Sequence, residues 1–408
     1  MYLFKEGVGY FVEYLNFLHM KKAGLSIPPE FQGKMDEELM KKTRKYESEK
    51  TQFSFISSLF GNIVAILFIF GGLLDIYNSW IISLGLPFML SGWLFFILLS
   101  FVNDFLSAPF SLYHTFHIEN RYGFNTMTFR LWISDFLKSL VLSTVIASLV
   151  LFAGLWLVQW SPDHWWFWVW GFLFLFSIFM MYLSPYVIEP LFNKFTPIED
   201  ESLKGKIMAI TEKAGIHVSR ILRIDASKRS RHTNAYFTGI GKTKRIVLYD
   251  TLLEGMSHDE ILTVLAHEIG HWKRHHLLKT MGVLEAVSLA ALYLCSRLIQ
   301  SDVLTTLFHI REATLFAKMV LLAFLGGIIA FPLKPLMSSF MRKHEREADI
   351  SSYELTKDAE SMVSAFVKLS KENLSNLHPH PLYASLYYSH PPILERIRSI
   401  REMGSKEK

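Results

Sequence analysis

The stretch of sequence that decides this fold is His267-Glu268-Ile269-Gly270-His271. Residues four positions apart lie on one face of an α-helix, so His267 and His271 can reach the same metal ion, with Glu268 close enough to act on a water molecule. A catalytic zinc takes three protein ligands and keeps a fourth position for water. The stretch therefore predicts a hydrolytic zinc site, and a surface helix with two ordinary histidines is the alternative.

The residues before the motif predict the helix that it requires. Ser257 and Glu260 have the spacing of a capping box, which starts a helix predicted over residues 258–276. The apolar side chains available for burial on this helix are Ile261, Leu262, Val264, Leu265 and Ile269.

Composition favours an integral membrane protein. Of the 408 residues, 51% are apolar, 15% aromatic and only 19% charged, and the mean hydropathy is +0.25. The net charge of +5 is modest, and we expect no nucleic-acid partner. The single cysteine, Cys295, excludes an internal disulfide and a cysteine-based zinc site.

Six apolar runs are long enough to cross a bilayer, which takes about 20 residues. Four precede the motif and lack Asp, Glu, Lys and Arg, and two follow it. They cover residues 53–74, 76–103, 139–162, 165–188, about 277–300 and 315–340.

Two features of the apolar segments leave alternatives open. Residues 2–20 are apolar but contain Lys5, Glu6 and Glu13, which predicts either a weak first span or a helix at the membrane interface. Glu285 lies inside a predicted span, where an acidic group either faces water in a functional role or is paired with a neighbouring helix.

The remaining segments complete the predicted organisation. Residues 21–52 are expected to form a basic loop, 104–138 a loop between spans, 189–276 the main polar segment with the metal-binding helix, and 341–408 a polar helical tail. In the segment 189–276 we predict a strand at 221–225, and a hairpin of 234–238 and 245–249 around Gly239-Ile240-Gly241. The segments 21–52, 189–276 and 341–408 hold most of the Lys and Arg, so the positive-inside rule orients them to the cytosol.

A third zinc ligand is required, and the best candidate is Glu345. Asp349 lies one helical turn later, suitably placed to orient a ligating histidine. His344 is the rival ligand, and a solvated charged helix is the alternative for the whole segment.

His271 lies six residues before one apolar run and Glu345 five residues after another, so the zinc is expected within roughly 10 Å of the membrane surface. Such a site suits lipid-anchored or membrane-embedded substrates.

Several further stretches accompany the metal motif. They are Phe116-His117-Ile118-Glu119, Tyr122-Gly123-Phe124-Asn125, Pro190-Leu191-Phe192-Asn193-Lys194-Phe195, Asp225-Ala226-Ser227-Lys228-Arg229-Ser230, Asn234-Ala235-Tyr236-Phe237-Thr238-Gly239, Lys244-Arg245-Ile246-Val247-Leu248-Tyr249-Asp250, the segment from Glu345 to Asp349, Tyr388-Ser389-His390-Pro391-Pro392 and Glu395-Arg396-Ile397. With these stretches the chain resembles, over nearly its whole length, the integral-membrane CAAX prenyl endoproteases. These zinc metalloproteases remove the last three residues of isoprenylated CAAX proteins.

The resemblance implies about seven membrane helices (six strong ones and the weak first) around an intramembrane chamber, with one zinc ion at its cytosolic end in a zincin-like domain that contains a small β-sheet. It implies His267, His271 and Glu345 as zinc ligands and Glu268 as the general base. It also implies an endoplasmic reticulum location in a eukaryote, or the cytoplasmic membrane in a prokaryote.

The resemblance further assigns substrate contacts. The strand of Asn234, Ala235, Tyr236 and Phe237 is expected to bind the substrate backbone by strand addition. His390 is expected to stabilise the developing oxyanion, and Arg396 to orient it or to contact a carboxylate. A helix start, with Pro391 and Pro392 in its first turn and Arg396 solvated, is the alternative.

Two other functions compete with the prenyl protease. A membrane quality-control metalloprotease shares the metal motif and differs only in acting on substrates that are not prenylated. A transporter or metal-binding membrane protein requires polar groups distributed through the spans, where Glu285 is the one strong case.

Overall fold

A computed structural model describes residues 1–23, 26–239, 244–308, 310 and 312–406. The first half of the chain forms helices α1 (Tyr2–Ala23), α2 (Glu37–Ile69), α3 (Leu73–Ser83), α4 (Phe88–Tyr113), α5 (Asn120–Tyr122), α6 (Phe129–Trp160), α7 (Trp165–Leu183) and α8 (Glu189–Phe192). The second half forms β1 (Phe195–Pro197), α9 (Glu201–Lys213), β2 (Arg220–Ile224), β3 (Ala235–Thr238), β4 (Arg245–Tyr249), α10 (Asp250–Gly255), α11 (His258–Lys273), α12 (His276–Ile299), α13 (Val303–Phe308), α14 (Leu315–Ala330), α15 (Lys334–Thr356), α16 (Ala359–Glu372), α17 (Pro381–Tyr387) and α18 (Ile393–Lys406).

Among the described residues, six helical segments are long and apolar enough to cross a membrane. They are Glu37–Ile69, Phe88–Tyr122, Phe129–Trp160, Trp165–Phe192, His276–Ile299 and Leu315–Thr356. Their number confirms the six strong spans predicted from the sequence. Helix α1 is not among them and packs against α2 and α17, so its role as a seventh span or an interfacial helix stays a prediction.

The predicted loop over residues 21–52 is wrong for its second half. Helix α2 begins at Glu37, where the Asp36 carboxylate accepts a hydrogen bond from Leu39 N at 2.8 Å, and continues into the apolar run. Pairs three residues apart, such as Lys50 with Glu47 at 3.1 Å, suit the solvated turns of this helix. The charged residues of this segment therefore belong to the polar end of a membrane helix and not to a loop.

The predicted span 76–103 is also wrong, because it joins two helices. Helix α3 ends before Gly85, which has a φ of +59°, and α4 begins after Pro87. Glycine tolerates this left-handed conformation, and proline favours a helix start. The apolar composition is continuous across this break, so hydropathy alone does not reveal it.

The predicted loop over residues 104–138 is largely helical. A π-helical segment, His114–Glu119, joins α4 to α5, and the chain turns at Gly123 with a φ of +85° before α6 starts behind the Thr128 cap. The helical end is held from the side, since Tyr46 donates to the Glu119 carboxylate at 2.7 Å. These long-range contacts are absent from any local sequence pattern.

The polar part of the chain contains a four-stranded sheet in the order β1-β2-β4-β3. Strands β2 and β4 are parallel, while β1 pairs with β2 and β3 pairs with β4 in antiparallel fashion. The strand and hairpin predicted from the sequence correspond to β2, β3 and β4. The predicted turn residues Ile240 and Gly241 lie outside the described residues, and β1 was not predicted.

The sheet and α15 together position the metal-motif helix α11. Ile246 and Leu248 of β4 are fully buried against Ile261 and Leu265 of α11. The capping box is confirmed, with Ser257 Oγ accepting from Glu260 N and the Glu260 carboxylate accepting from Ser257 N. The helix ends at Lys273, earlier than predicted, because His275 adopts a left-handed φ of 56°.

The opposite face of α11 contacts α15 at Gly270. A Cβ atom at this position would lie 2.9 Å from Ala348 Cα and 3.0 Å from Ala348 O. The missing side chain therefore lets the two helix backbones approach closely, which brings the histidines of α11 to the acidic residues of α15. Helix α15 itself runs without interruption across residue 341, where the polar tail was predicted to begin.

Candidate metal centre

Three side chains from α11 and α15 converge at one point. His267 Nε2 lies 3.2 Å from His271 Nε2 and 3.3 Å from Glu345 Oε2, and His271 Nε2 lies 3.2 Å from Glu345 Oε1. Across the part of the chain that the structure describes, this is the one group of three His, Cys, Asp or Glu side chains arranged to hold a metal ion.

The geometry of these atoms fits zinc. Tetrahedral bonds of about 2.0–2.1 Å separate ligand atoms by roughly 3.3–3.4 Å, which is close to all three distances. Glu345 Oε2 is buried and accepts no hydrogen bond from any described group, although such atoms normally have a partner. A cation between the two imidazoles and the carboxylate would satisfy it. The donor set of two nitrogens and a carboxylate leaves the fourth position that catalysis requires.

Asp349 lies behind His267 and determines which nitrogen faces the site. His267 Nδ1 is 2.8 Å from Asp349 Oδ1, so the Nδ1–H donates to the carboxylate and Nε2 carries the lone pair. Burial by itself lowers the pKa of His267, but the neighbouring carboxylates of Asp349 and Glu345 outweigh it and raise the pKa to about 9 when only protein groups act on it. Metal and proton therefore compete for this nitrogen.

Arg396 contacts Asp349 rather than projecting freely into the cleft. Its Nε and Nη2 donate to the two carboxylate oxygens at 2.8 and 2.6 Å, and its guanidinium lies 4.2 Å from the centre of the Phe366 ring. Such a bidentate pair fixes the carboxylate in plane. Arg396 is therefore linked to His267 through Asp349, and the solvated arginine of the alternative prediction is excluded by its 11% side-chain exposure.

Glu268 lies next to the ligands on α11, and its carboxylate accepts no hydrogen bond from the residues that the structure describes, so it can act on a water molecule. Burial raises the pKa of Glu268, and the neighbouring histidines partly oppose this. A carboxylate with a raised pKa accepts a proton more readily and can return it in a later step.

His390 occupies the open side of the site. Its Nε2 lies 3.4 Å from Glu345 Oε1, Ser389 Oγ contacts its Nδ1 at 2.9 Å, and its side chain is 60% exposed. It lines a cavity of about 390 Å³ together with Arg396. An imidazole here can reach a group bound between the cavity and the metal ligands.

The predicted substrate strand lies at the edge of the sheet beside α11. Strand β3 starts at Ala235, pairs with β4 on one side, and Asn234 immediately precedes it. Ala235 is buried, Tyr236 donates to Glu189 at 2.9 Å, and Phe237 packs into the core. The side chains are thus occupied, and the backbone edge is what the strand offers to a peptide.

Two residues near the ligands, His276 and Glu347, were not predicted from the sequence. His276 Nδ1 lies 3.0 Å from His271 Nδ1, and His276 Nε2 lies 3.0 Å from Glu347 Oε2. The rival ligand His344 does not face the metal position, because its ring stacks on His276 with centroids 4.1 Å apart. Helical spacing places residues 271 and 276 on different faces, so only the turn at His275 brings them together.

Comparisons with known proteins cover both halves of the chain. Residues 16–194 match the family model described as the CAAX prenyl protease N-terminal region with five membrane helices, and residues 197–404 match peptidase family M48. The chain is 33% identical to CAAX prenyl protease 1 of Saccharomyces cerevisiae, over 98% of this chain and 94% of that protein. It is 34% identical to a CAAX prenyl protease 1 homolog of Arabidopsis thaliana, over 92% of this chain and 90% of the relative. The crystal structure of S. mikatae Ste24p is similar, with a TM-score of 0.89 and 32% identity over 98% of this chain and 97% of that chain.

Proposed function

We propose that this chain, which belongs to peptidase family M48 and is an integral-membrane metalloendopeptidase, removes the C-terminal three residues of prenylated CAAX proteins or peptides. The observation that carries the proposal is the cluster of His267, His271 and Glu345 beside two helices that enter the membrane. Helix α12 begins five residues after His271, and Glu345 lies on α15, which continues a membrane segment. A substrate that a lipid anchors to the bilayer can reach such a site while its lipid stays in the bilayer.

The metal that this site would hold is zinc, one ion per chain, with His267, His271 and Glu345 as its ligands. When bound, zinc acts as a Lewis acid on a carbonyl oxygen and lowers the pKa of water to about 7. Asp349 and Arg396 maintain His267 in the tautomer that presents Nε2 to the ion, so Arg396 is a positioning residue.

The remaining groups divide the work on the peptide. The free edge of β3 (with Asn234, Ala235, Tyr236 and Phe237) binds the substrate backbone as an added strand. Glu268 takes a proton from the attacking water and passes it to the leaving amine. His390 donates from the open side of the site to the oxygen that becomes negative in the transition state.

The orientation and organisation are part of the same proposal. The zinc site faces the cytosol, supported by the Lys and Arg content of the polar segments. The membrane is the endoplasmic reticulum in a eukaryote or the cytoplasmic membrane in a prokaryote. The chain divides into a membrane part up to residue 188, a metalloprotease segment 189–276, two membrane helices within 277–340 and a tail 341–408, which begins inside α15 and completes the site.

The test combines zinc content with cleavage of two matched peptides, a farnesylated CAAX peptide and its unprenylated twin. Burying only two or three farnesyl carbons at about 0.8 kcal/mol each favours the farnesylated peptide at least about tenfold. Glu268→Gln should retain one zinc per chain and lose about 10²–10⁴-fold in turnover.

Each outcome has a distinct meaning. Equal cleavage of both peptides would favour the quality-control protease, which does not recognise the lipid. Zinc in both proteins with normal cleavage by Glu268→Gln would refute the general-base role. Purified wild-type protein without zinc would refute the metal site.

A further inference from the structure

We propose that His276 and Glu347 form a relay that holds His271 in the orientation and tautomer required for metal binding. The proposal rests on the proposed zinc site, and it assigns roles to two residues that are not ligands. In this relay His276 is a positioning residue, and Glu347 sets its proton.

The relay follows from the hydrogen-bonding inventory of imidazole. A neutral histidine has one N–H donor and one acceptor nitrogen. His271 Nε2 faces the metal position and needs its lone pair, so the proton of His271 must be on Nδ1. The partner of that N–H is His276 Nδ1, 3.0 Å away, which must therefore be an acceptor.

The same reasoning extends one step further. If His276 Nδ1 is an acceptor, its proton lies on Nε2, and that N–H donates to Glu347 Oε2 at 3.0 Å. The Glu347 carboxylate can only accept in this contact, so it favours this tautomer of His276. Every atom along the chain from Glu347 to His271 Nε2 then has a partner of the correct kind.

The two histidine ligands are thus supported in different ways. His267 donates directly to the Asp349 carboxylate, whereas His271 reaches the Glu347 carboxylate through a second imidazole. Both carboxylates lie on α15, so one helix orients both ligands of α11. This arrangement also ties the metal site to the first residue of the membrane helix α12.

The position of His276 suits a fixed role. His276 is 3% exposed, and its ring stacks on His344 at an interplanar angle of 7°. His275 before it has a left-handed φ of 56°, which turns the chain back so that His276 faces His271. A β-carbon-bearing residue in this conformation is uncommon and indicates that the surrounding contacts maintain it.

Two substitutions at residue 276 separate hydrogen bonding from packing. His276→Phe keeps a stacked ring and removes the acceptor, which leaves the His271 N–H unpaired. His276→Asn loses the ring but places an acceptor oxygen near the position of Nδ1. His344→Phe is the matched control, since it alters the other ring of the stack and no member of the relay.

The measurement is zinc affinity of the full-length, detergent-purified protein by competition with a chelator. Loss of an outer hydrogen-bond partner typically weakens metal binding 10–100-fold, and we expect His276→Phe to lose about that much. His276→Asn should retain most of the affinity, and His344→Phe should match the wild type. Glu347→Ala should also weaken zinc binding, and this substitution leaves the stacked rings of His276 and His344 unaltered.

The opposite pattern would refute the relay. Wild-type affinity in His276→Phe and Glu347→Ala, or an equal loss in His276→Asn and His276→Phe, would leave His276 a packing residue. His271→Ala separates this from failure of the metal site itself. If His271→Ala binds zinc like the wild type, His271 is not a ligand and the proposed site is wrong. If His271→Ala loses zinc while His276→Phe and Glu347→Ala keep the wild-type affinity, only the relay is contradicted.

Discussion

Replacing Asp349 with alanine is expected to have two separable effects, one on stability and one on the metal. Asp349 is 4% exposed and accepts hydrogen bonds from Arg396 at 2.6 and 2.8 Å and from His267 at 2.8 Å. The alanine variant leaves the buried guanidinium without its hydrogen-bonded carboxylate partner, which costs about 3–5 kcal/mol. It also frees the His267 ring, which should weaken zinc binding by about 10–100-fold, or about 1.4–2.7 kcal/mol.

A double variant distinguishes these effects. Asp349→Ala with Arg396→Met removes both charges, and replacing a buried pair by apolar groups is often close to neutral. We therefore expect the double variant to recover most of the unfolding free energy lost by Asp349→Ala, measured by denaturant titration in mixed micelles. Zinc affinity, measured by chelator competition, should stay low, because His267 Nδ1 still lacks its acceptor.

Stability and zinc affinity that change together would contradict two separate effects of Asp349. Recovery of zinc affinity along with stability in the double variant would mean that Asp349 acts only through packing. If Asp349→Ala lowers the free energy of unfolding by less than about 1 kcal/mol, the Arg396 charge is solvated, contrary to its 11% side-chain exposure.

The remaining predictions concern the helix contact, the oxyanion and pH. Gly270→Ala should lower the free energy of unfolding by about 1–3 kcal/mol and weaken zinc binding, because its Cβ overlaps Ala348. Gly205→Ala is the control in the same thermal assay, since its Cβ would have no atom within 4 Å. His390→Ala should lower kcat about 10²–10³-fold with zinc content unchanged, and a change confined to KM would contradict its proposed role. Hydrogen bonds to Glu119 and Asn373 raise the pKa of His232 against the lowering effect of burial, so its stabilising contribution is complete below about pH 6.5 and is lost as pH rises through the raised pKa. The melting temperature should therefore fall as the pH rises through the raised pKa of His232, and it should depend less on pH in His232→Gln. The same pH dependence in His232→Gln and the wild type would contradict this role of His232.

Local signals in the sequence were sufficient for much of the fold. The Ser257 and Glu260 capping box, the hairpin strands and the number of strong membrane helices depend on residues close together in the chain, and the structure has all of them. The helix boundaries were less accessible. An uninterrupted apolar run conceals the turn at Gly85 and Pro87, and charged turns at the end of a membrane helix have the composition of a loop.

In the candidate site, too, some residues are placed by local sequence spacing and others by tertiary packing. His267 and His271 share a face because of the 3.6-residue period of the α-helix, and this spacing is encoded locally. The pairing of Arg396 with Asp349 instead depends on the packing of α18 against α15, far apart in sequence. Sequence patterns report which residue types are present at such distances, but they do not report which atoms meet.

The sequence by itself determined that this is a membrane protein with two imidazoles arranged on one helix face, because hydropathy and helical period are properties of neighbouring residues. Only the tertiary structure decided how the site is completed. Glu345 reaches the histidines because α15 approaches α11 at Gly270, and His276 faces His271 because the chain reverses at His275. Both arrangements follow from close packing between segments distant in the chain, which no local pattern contains.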